Sequence, residues 1–251
     1  MRRIIFVNRK GGSGKTTVVV NLAYHLAQKK RRVLVVDLDS QGHSTFIMAR
    51  DPQTAGARPS GEVGLEQGIQ DWVETTLHRG LDLLPLAVHH KLLNREVEAD
   101  PHLIQRGMVP LLERYDYWLF DLPPSLEPVV TAGLLAATEI MVPLQTHFLP
   151  LQGMAQLIGL MRDLAGEQGH ELRLTGIIPT LYNPRTRLYQ QVLEDIAGVF
   201  GKSLILPGIP YDIRLAEAPS HRQVAARYAP RSRGSVAFGK LAAAVLAMEA
   251  K

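Results

Sequence analysis

Apolar residues along this chain fall into short unbroken runs separated by stretches of helical period. Ile4-Ile5-Phe6-Val7 reads as a buried strand. From Lys15 to Lys29, Val18, Leu22 and Leu26, with Val19 and Ala23 beside them, repeat at the spacing of one helix face. Val33-Leu34-Val35-Val36 is a second apolar strand, ending at Asp37. Strand, glycine loop, helix and strand in so short a span predict a βαβ unit and hence a parallel sheet. Further on, the pattern predicts a loop over 51–64, a helix over 65–77, a short strand over 81–84 and an interrupted helix over 92–112. Tyr117-Trp118-Leu119-Phe120 reads as a strand ending at Asp121, and Ile140-Met141-Val142 as one ending at Pro143. Helices are expected over 151–164 and 188–200, and strands over 172–178 and 204–206. A last helix is expected over 235–248, capped by Ser235 or Gly234. With no repeat and no long linker, the fold class is α/β: one domain over residues 1–251 with a doubly wound, mostly parallel sheet flanked by helices.

Composition narrows the chemistry. The chain has 251 residues and no cysteine, which removes disulfides, thiolate metal sites and cysteine nucleophiles and makes a cytoplasmic setting the default. No run of apolar residues is long enough to span a membrane. The nine histidines are scattered, and His43, His89 and His90 read as non-ligands. The net charge of +4 is uninformative until its position is noted. From Gly201 to Lys251, eight basic residues stand against three acidic ones, an excess of +5 able to form a patch.

The first strand leads into Lys10-Gly11-Gly12-Ser13-Gly14-Lys15-Thr16-Thr17. Glycines allow backbone N–H groups to turn around an anion, and a helix N-terminus adds partial positive charge. In that context Lys15 suits the β and γ phosphates of a nucleotide and Thr16 suits Mg²⁺. The usual P-loop spacing fails at its first position, where Arg9 replaces glycine, and a second lysine, Lys10, opens the loop. Asp37, Asp39 and Asp121 end strands on the same edge. Asp121 suits metal holding, and Asp39, heading the turn Asp39-Ser40-Gln41-Gly42, suits positioning of an attacking water.

Three segments resemble the ParA/Soj/MinD family of deviant Walker A ATPases: 10–17, 33–42 and 115–125. Two more, 182–186 and 209–220, are similar to its chromosome and plasmid partition branch. The resemblance implies a deviant P-loop NTPase that hydrolyses ATP with Mg²⁺. It implies that Lys10 reaches the partner's nucleotide in an ATP-dependent homodimer. Lys15 would be the phosphate lysine, Thr16 the magnesium ligand, Asp39 the switch aspartate and Asp121 the Walker B aspartate. Asn183, Pro210 and Asp212 fall where relatives line the adenine site. Ser13, Ser40, Glu127 and Tyr211-Asp212 depart from common family residues.

In the partition branch, basic groups in this part of the dimer form a surface for nonspecific DNA. The candidates here are Arg185, Arg187, Arg214, Arg222, Arg227, Arg231 and Arg233, with Arg214 equally able to pair with Glu217. No sequence-reading module is visible, so phosphate contact is the expected mode. The family reading adds a ParB-like or cargo-adaptor activator and a nucleoid-associated location. The alternative is a membrane-cycling MinD-like ATPase that positions cell division or flagella. It is disfavoured because the last helix is alanine-rich and lacks a basic face, which suits packing against the sheet.

Overall fold

The computed structural model describes residues 1–56, 68–125, 127–146 and 150–249. Its strands are β1 (Arg2–Phe6), β2 (Val33–Asp37), β3 (Glu74–Thr75), β4 (Leu81–Leu84), β5 (Tyr117–Asp121), β6 (Glu139–Gln145), β7 (Arg173–Tyr182) and β8 (Ile209–Pro210). They form one sheet in the order β3-β4-β2-β5-β1-β6-β7-β8, in which only the β3–β4 pair is antiparallel. The chain moves outward from β1 on one side, returns through β5 and continues on the other side through β6. The loop after β1 therefore sits where the winding reverses, the usual ligand crevice of such sheets.

The helices are α1 (Lys15–Gln28), α2 (His43–Met48), α3 (His90–Ala99), α4 (Leu103–Gly107), α5 (Pro128–Ala136), α6 (Pro150–Gln168), α7 (Arg187–Phe200), α8 (Ile213–Glu217), α9 (Ala225–Tyr228) and α10 (Arg233–Ala247). They cover both sheet faces, and strand alternation divides the core between them. Ile5, Leu34, Val36, Trp118 and Phe120 face one layer, with Leu93, Val97, Ile104 and Leu134 packed over them. Ile4, Phe6, Val33, Val35, Tyr117 and Leu119 face the other, under Val18, Leu22 and Leu26 of α1 and Phe238 and Leu241 of α10. Both strand faces are buried, so the strands read as continuous apolar runs. The closing helix packs as expected, with Ala237, Phe238, Leu241, Ala242 and Val245 buried. Among the described residues, no helix is long and apolar enough to cross a membrane.

Several boundaries differ from the sequence reading. The helix expected over 65–77 is instead a 3₁₀ turn, Ile69–Trp72, followed by β3 (residues 65–67 lie outside the described residues). Leu65, Ile69, Trp72, Val73 and Leu77 do recur at helical spacing, but Glu74 and Thr75 pair with β4, and that strand pairing overrides the local pattern. The expected loop is described only over 51–56, as turns. β6 runs through Pro143 to Gln145. Its pairing with β1 stops at Phe6 and Met141, so proline sits where only β7 is a strand neighbour. The strand expected at 204–206 reduces to one bridge, Ile205 with Ile177, and the next strand waits until Ile209, beyond Pro207-Gly208. The last helix begins at Arg233, capped by the Ser232 hydroxyl accepting from the Ser235 N–H at 3.1 Å. α2, α5, α8 and α9 are helices the periodicity did not reveal.

Candidate nucleotide site

The loop after β1 is held by side chains from neighbouring strands. The Asn8 side chain donates to the Pro143 carbonyl at 2.7 Å and accepts from the Lys10 N–H at 2.9 Å. Gln145, at the end of β6, donates to the Gly12 carbonyl at 2.5 Å. Thr180 of β7 donates to the Ser13 carbonyl at 2.8 Å. With those carbonyls tied to the β6–β7 side, Gly14 takes φ +87° and opens α1. This left-handed turn is the conformation for which glycine is suited. The first-turn N–H groups of α1 have no partners within the helix and make its start an anion-attracting end. No acidic residue lies in that turn.

Lys15 is buried, and its Nζ donates to the Asn8 carbonyl at 3.1 Å. Burial lowers its pKa, with Asp121 and then Asp39 acting in the opposite sense. Asp37 and Asp121 are register partners across β2 and β5, and both are fully buried. Asp37 accepts from the Thr45 N–H and hydroxyl, both at 2.7 Å, and from the Asp39 N–H at 3.3 Å. One Asp121 oxygen accepts from the Ser44 hydroxyl at 2.7 Å, and the Thr16 hydroxyl is near enough to act with Ser44 in lowering the pKa of this carboxyl against its burial. Its other oxygen, Oδ1, is buried without a hydrogen-bond partner among the described residues. Burial pushes both carboxyls above the usual aspartate range; their mutual charge adds to the effect on Asp37, and Asp39 adds to it on Asp121.

Asp39 lies two residues beyond β2, buried, and accepts from the Gln41 N–H at 3.1 Å. Gly42 then takes φ +61° and starts α2, which swings Ser44 and Thr45 back onto the two buried aspartates. The loop, Thr16, Asp39 and Gln41 line a cleft of about 450 Å³, within the range of small-molecule sites. Asn8, Ser44, Thr45, Gln145 and Thr180 were missed by sequence reasoning. Their signal is three-dimensional, except that Ser44-Thr45 follows Gly42 as a helix-opening pair.

The remaining candidates are dispersed. Lys10 is exposed at the loop mouth. Asp212 lines the cleft; burial raises its pKa, but N–H donors from Gly234 (2.8 Å) and Arg214 (3.1 Å) bring it below the usual range. Pro210 is buried in β8 with its neighbours Ile209 and Tyr211 on the cleft wall, and Asn183 is exposed, its side chain accepting from the Arg185 N–H at 3.1 Å. All seven candidate arginines are exposed. Arg214 pairs with Glu217 at 2.7 Å and shares a surface hollow with Arg231. Arg222 donates to the carbonyls of Phe46 (3.2 Å), Ala49 (2.7 Å) and Arg50 (3.2 Å), at the end of α2. Arg227 lines a different hollow with Arg222, whereas Arg185 and Arg187 lead into α7. Among the described residues, no group of three His, Asp or Glu side chains is arranged to hold a metal.

Comparison with known proteins accords with this geometry. Residues 1–174 match the family model for an AAA domain. The chain is 37% identical to the chromosome-partitioning ATPase Soj of Thermus thermophilus, over 98% of this chain and 96% of that protein. It is 32% identical to the sporulation initiation inhibitor protein Soj of Bacillus subtilis, over 97% and 98% respectively. Among solved structures, cobyrinic acid a,c-diamide synthase from Mycobacterium smegmatis with bound ATP analog and magnesium superposes with a TM-score of 0.78 at 28% identity, over 100% of this chain and 96% of that one. The eight-stranded sheet, the lysine-flanked glycine loop and the full-length likeness together establish that this chain belongs to the ParA/Soj family of chromosome-partitioning ATPases.

Proposed function

We propose that this chain is a DNA-associated partitioning or cargo-positioning ATPase whose ATP-bound form is a two-fold sandwich dimer. The observation that carries this reading is the convergence of Lys15, Thr16 and Asp39 on one cleft at the start of α1, with the buried Asp121 interacting with all three. ATP is the substrate. The first-turn N–H groups and Lys15 would grip its phosphates, Lys15 exchanging its bond to the Asn8 carbonyl for a charge-assisted one. Magnesium fits beside Thr16 and Asp121, because Asp121 Oδ1 is a buried acceptor without a partner among the described residues, and Asp39 stands close by. When bound, the ion would neutralise phosphate charge. Asp39 would orient the attacking water, and Asp37, locked by Thr45, would hold the turn that carries it. Lys10 would extend from the exposed loop mouth to the partner's nucleotide, and Asn183, Pro210 and Asp212 would border the base.

Arg185, Arg187, Arg214, Arg231 and Arg233, doubled by a two-fold axis, would supply phosphate contacts for nonspecific duplex DNA. A ParB-like or cargo-adaptor protein would stimulate hydrolysis. Asp39→Ala separates these steps. The variant is expected to bind ATP and form the dimer by light scattering, yet release no phosphate. Isolated wild-type protein should turn over well below the roughly 10 per second common among enzymes. Normal phosphate release by Asp39→Ala would remove the assigned role.

A further inference from the structure

A second hollow, of about 570 Å³, lies on the α1 side of the sheet. It is bounded by Tyr24 and Gln28 of α1, the end of α2, the β3–β4 turn and residues 221–227. Arg50, Arg79, Arg222, Arg227, His78 and His221 all line it, and among the described residues no aspartate or glutamate does. Four permanent positive charges lining one recess repel one another and raise the local potential for anions.

The cluster has a fixed part and an available part. Arg222 is anchored by three backbone carbonyls at the end of α2, and Arg50 by the Thr76 carbonyl at 3.3 Å. Arg79 and Arg227 have no ion pair or side-chain hydrogen bond among the described residues. A pre-placed guanidinium beside two uncommitted ones suits the several oxygens of a phosphate group. The positive potential also registers on His78, whose pKa is lowered by burial and then by Arg227. Ile47, Met48 and the 73%-exposed Leu77 add an apolar part to the same lining. A concave recess with an apolar part and convergent polar groups has the composition of a small-molecule site rather than of a band that follows a nucleic-acid backbone.

We propose that this recess binds a small phosphorylated organic molecule, its phosphate held by Arg79 and Arg227 and its body against Leu77. The site is separate from the nucleotide cleft, so occupancy can be read while that cleft is filled.

Protein saturated with ADP in excess magnesium is titrated calorimetrically with inorganic pyrophosphate. Wild type is expected to bind, and Arg79→Ala to bind about tenfold more weakly, the loss of charge-assisted bonds. Arg79→Lys, which keeps the charge but not the fork, should fall between them. Arg79→Ala should retain the wild-type melting temperature and ATPase rate. No pyrophosphate binding by wild type, or equal binding by Arg79→Ala, would overturn the proposal. Displacement of pyrophosphate by short random-sequence duplex DNA would also overturn it, because the recess would then belong to a nucleic-acid surface.

Discussion

The carboxyl edge of the sheet and the C-terminal fifth of the chain both gather charge, and they do so by opposite means. At the sheet edge, strand ends fix Asp37 and Asp121 in register, and among the described residues each of their carboxyl oxygens is assigned to a neighbour except Asp121 Oδ1. In the C-terminal fifth, an excess of +5 is spread over separate tasks. Arg222 closes α2, Arg214 pairs with Glu217, Arg227 enters the second hollow and Arg233 starts α10. Buried charge is specified residue by residue because errors there are costly. Exposed arginines are tolerated in many places, so their number says little about what each does.

The comparison is broken most readily at the cleft. Lys15→Ala should weaken ATP binding by about a hundredfold, the scale of lost charge-assisted phosphate bonds. Arg233→Ala should leave ATP affinity unchanged. Calorimetric titration of both variants checks the contrast, and equal affinities would erase the distinction between the two regions.

Within the basic region, Arg222 and Arg231 should part company. Arg222→Ala leaves three carbonyls at the end of α2 without their donor and should cost about 1–2 kcal/mol in urea unfolding. Arg231→Ala removes an exposed side chain and should stay within about 0.5 kcal/mol. Equal effects would show that the arginines are interchangeable after all.

A smaller effect is expected from pH. The pKa values of Asp37 and Asp121 are raised in the folded, nucleotide-free protein, so the fold holds protons that the unfolded chain has released. This contribution is fully present below the ordinary aspartate value of about 3.9 and is lost as pH rises through the raised values. Unfolding free energy measured from about pH 5 to about pH 9 should therefore carry a falling component that Asp37→Asn reduces. An unchanged slope in the variant would mean that Asp37 does not titrate in this way.

The cleft was legible in sequence because its chemistry is local. Lys10 to Thr17 is contiguous, and Asp37, Asp39 and Asp121 each follow an apolar strand that announces its own end. The side chains that steady the loop were not legible. Gln145 and Thr180 lie more than a hundred residues from the carbonyls they hold, and nothing in their own surroundings marks them. α2 is too short for a periodic signal, and α5 is apolar nearly all round, which hides the helical period. The arginines were legible as an excess but not as individuals. Whether Arg222 faces DNA or a helix end depends on a segment about 170 residues earlier in the chain.

The central claim joins the two regions: filling the cleft with ATP should create the basic surface by pairing two copies of the chain. Retention of random-sequence duplex DNA, measured with ATP and with ADP across a series of salt concentrations, tests it most directly. The expected result is strong retention with ATP, little with ADP, a steep decline with salt and indifference to sequence. Equal retention in the two nucleotide states, or none at low salt, would contradict it.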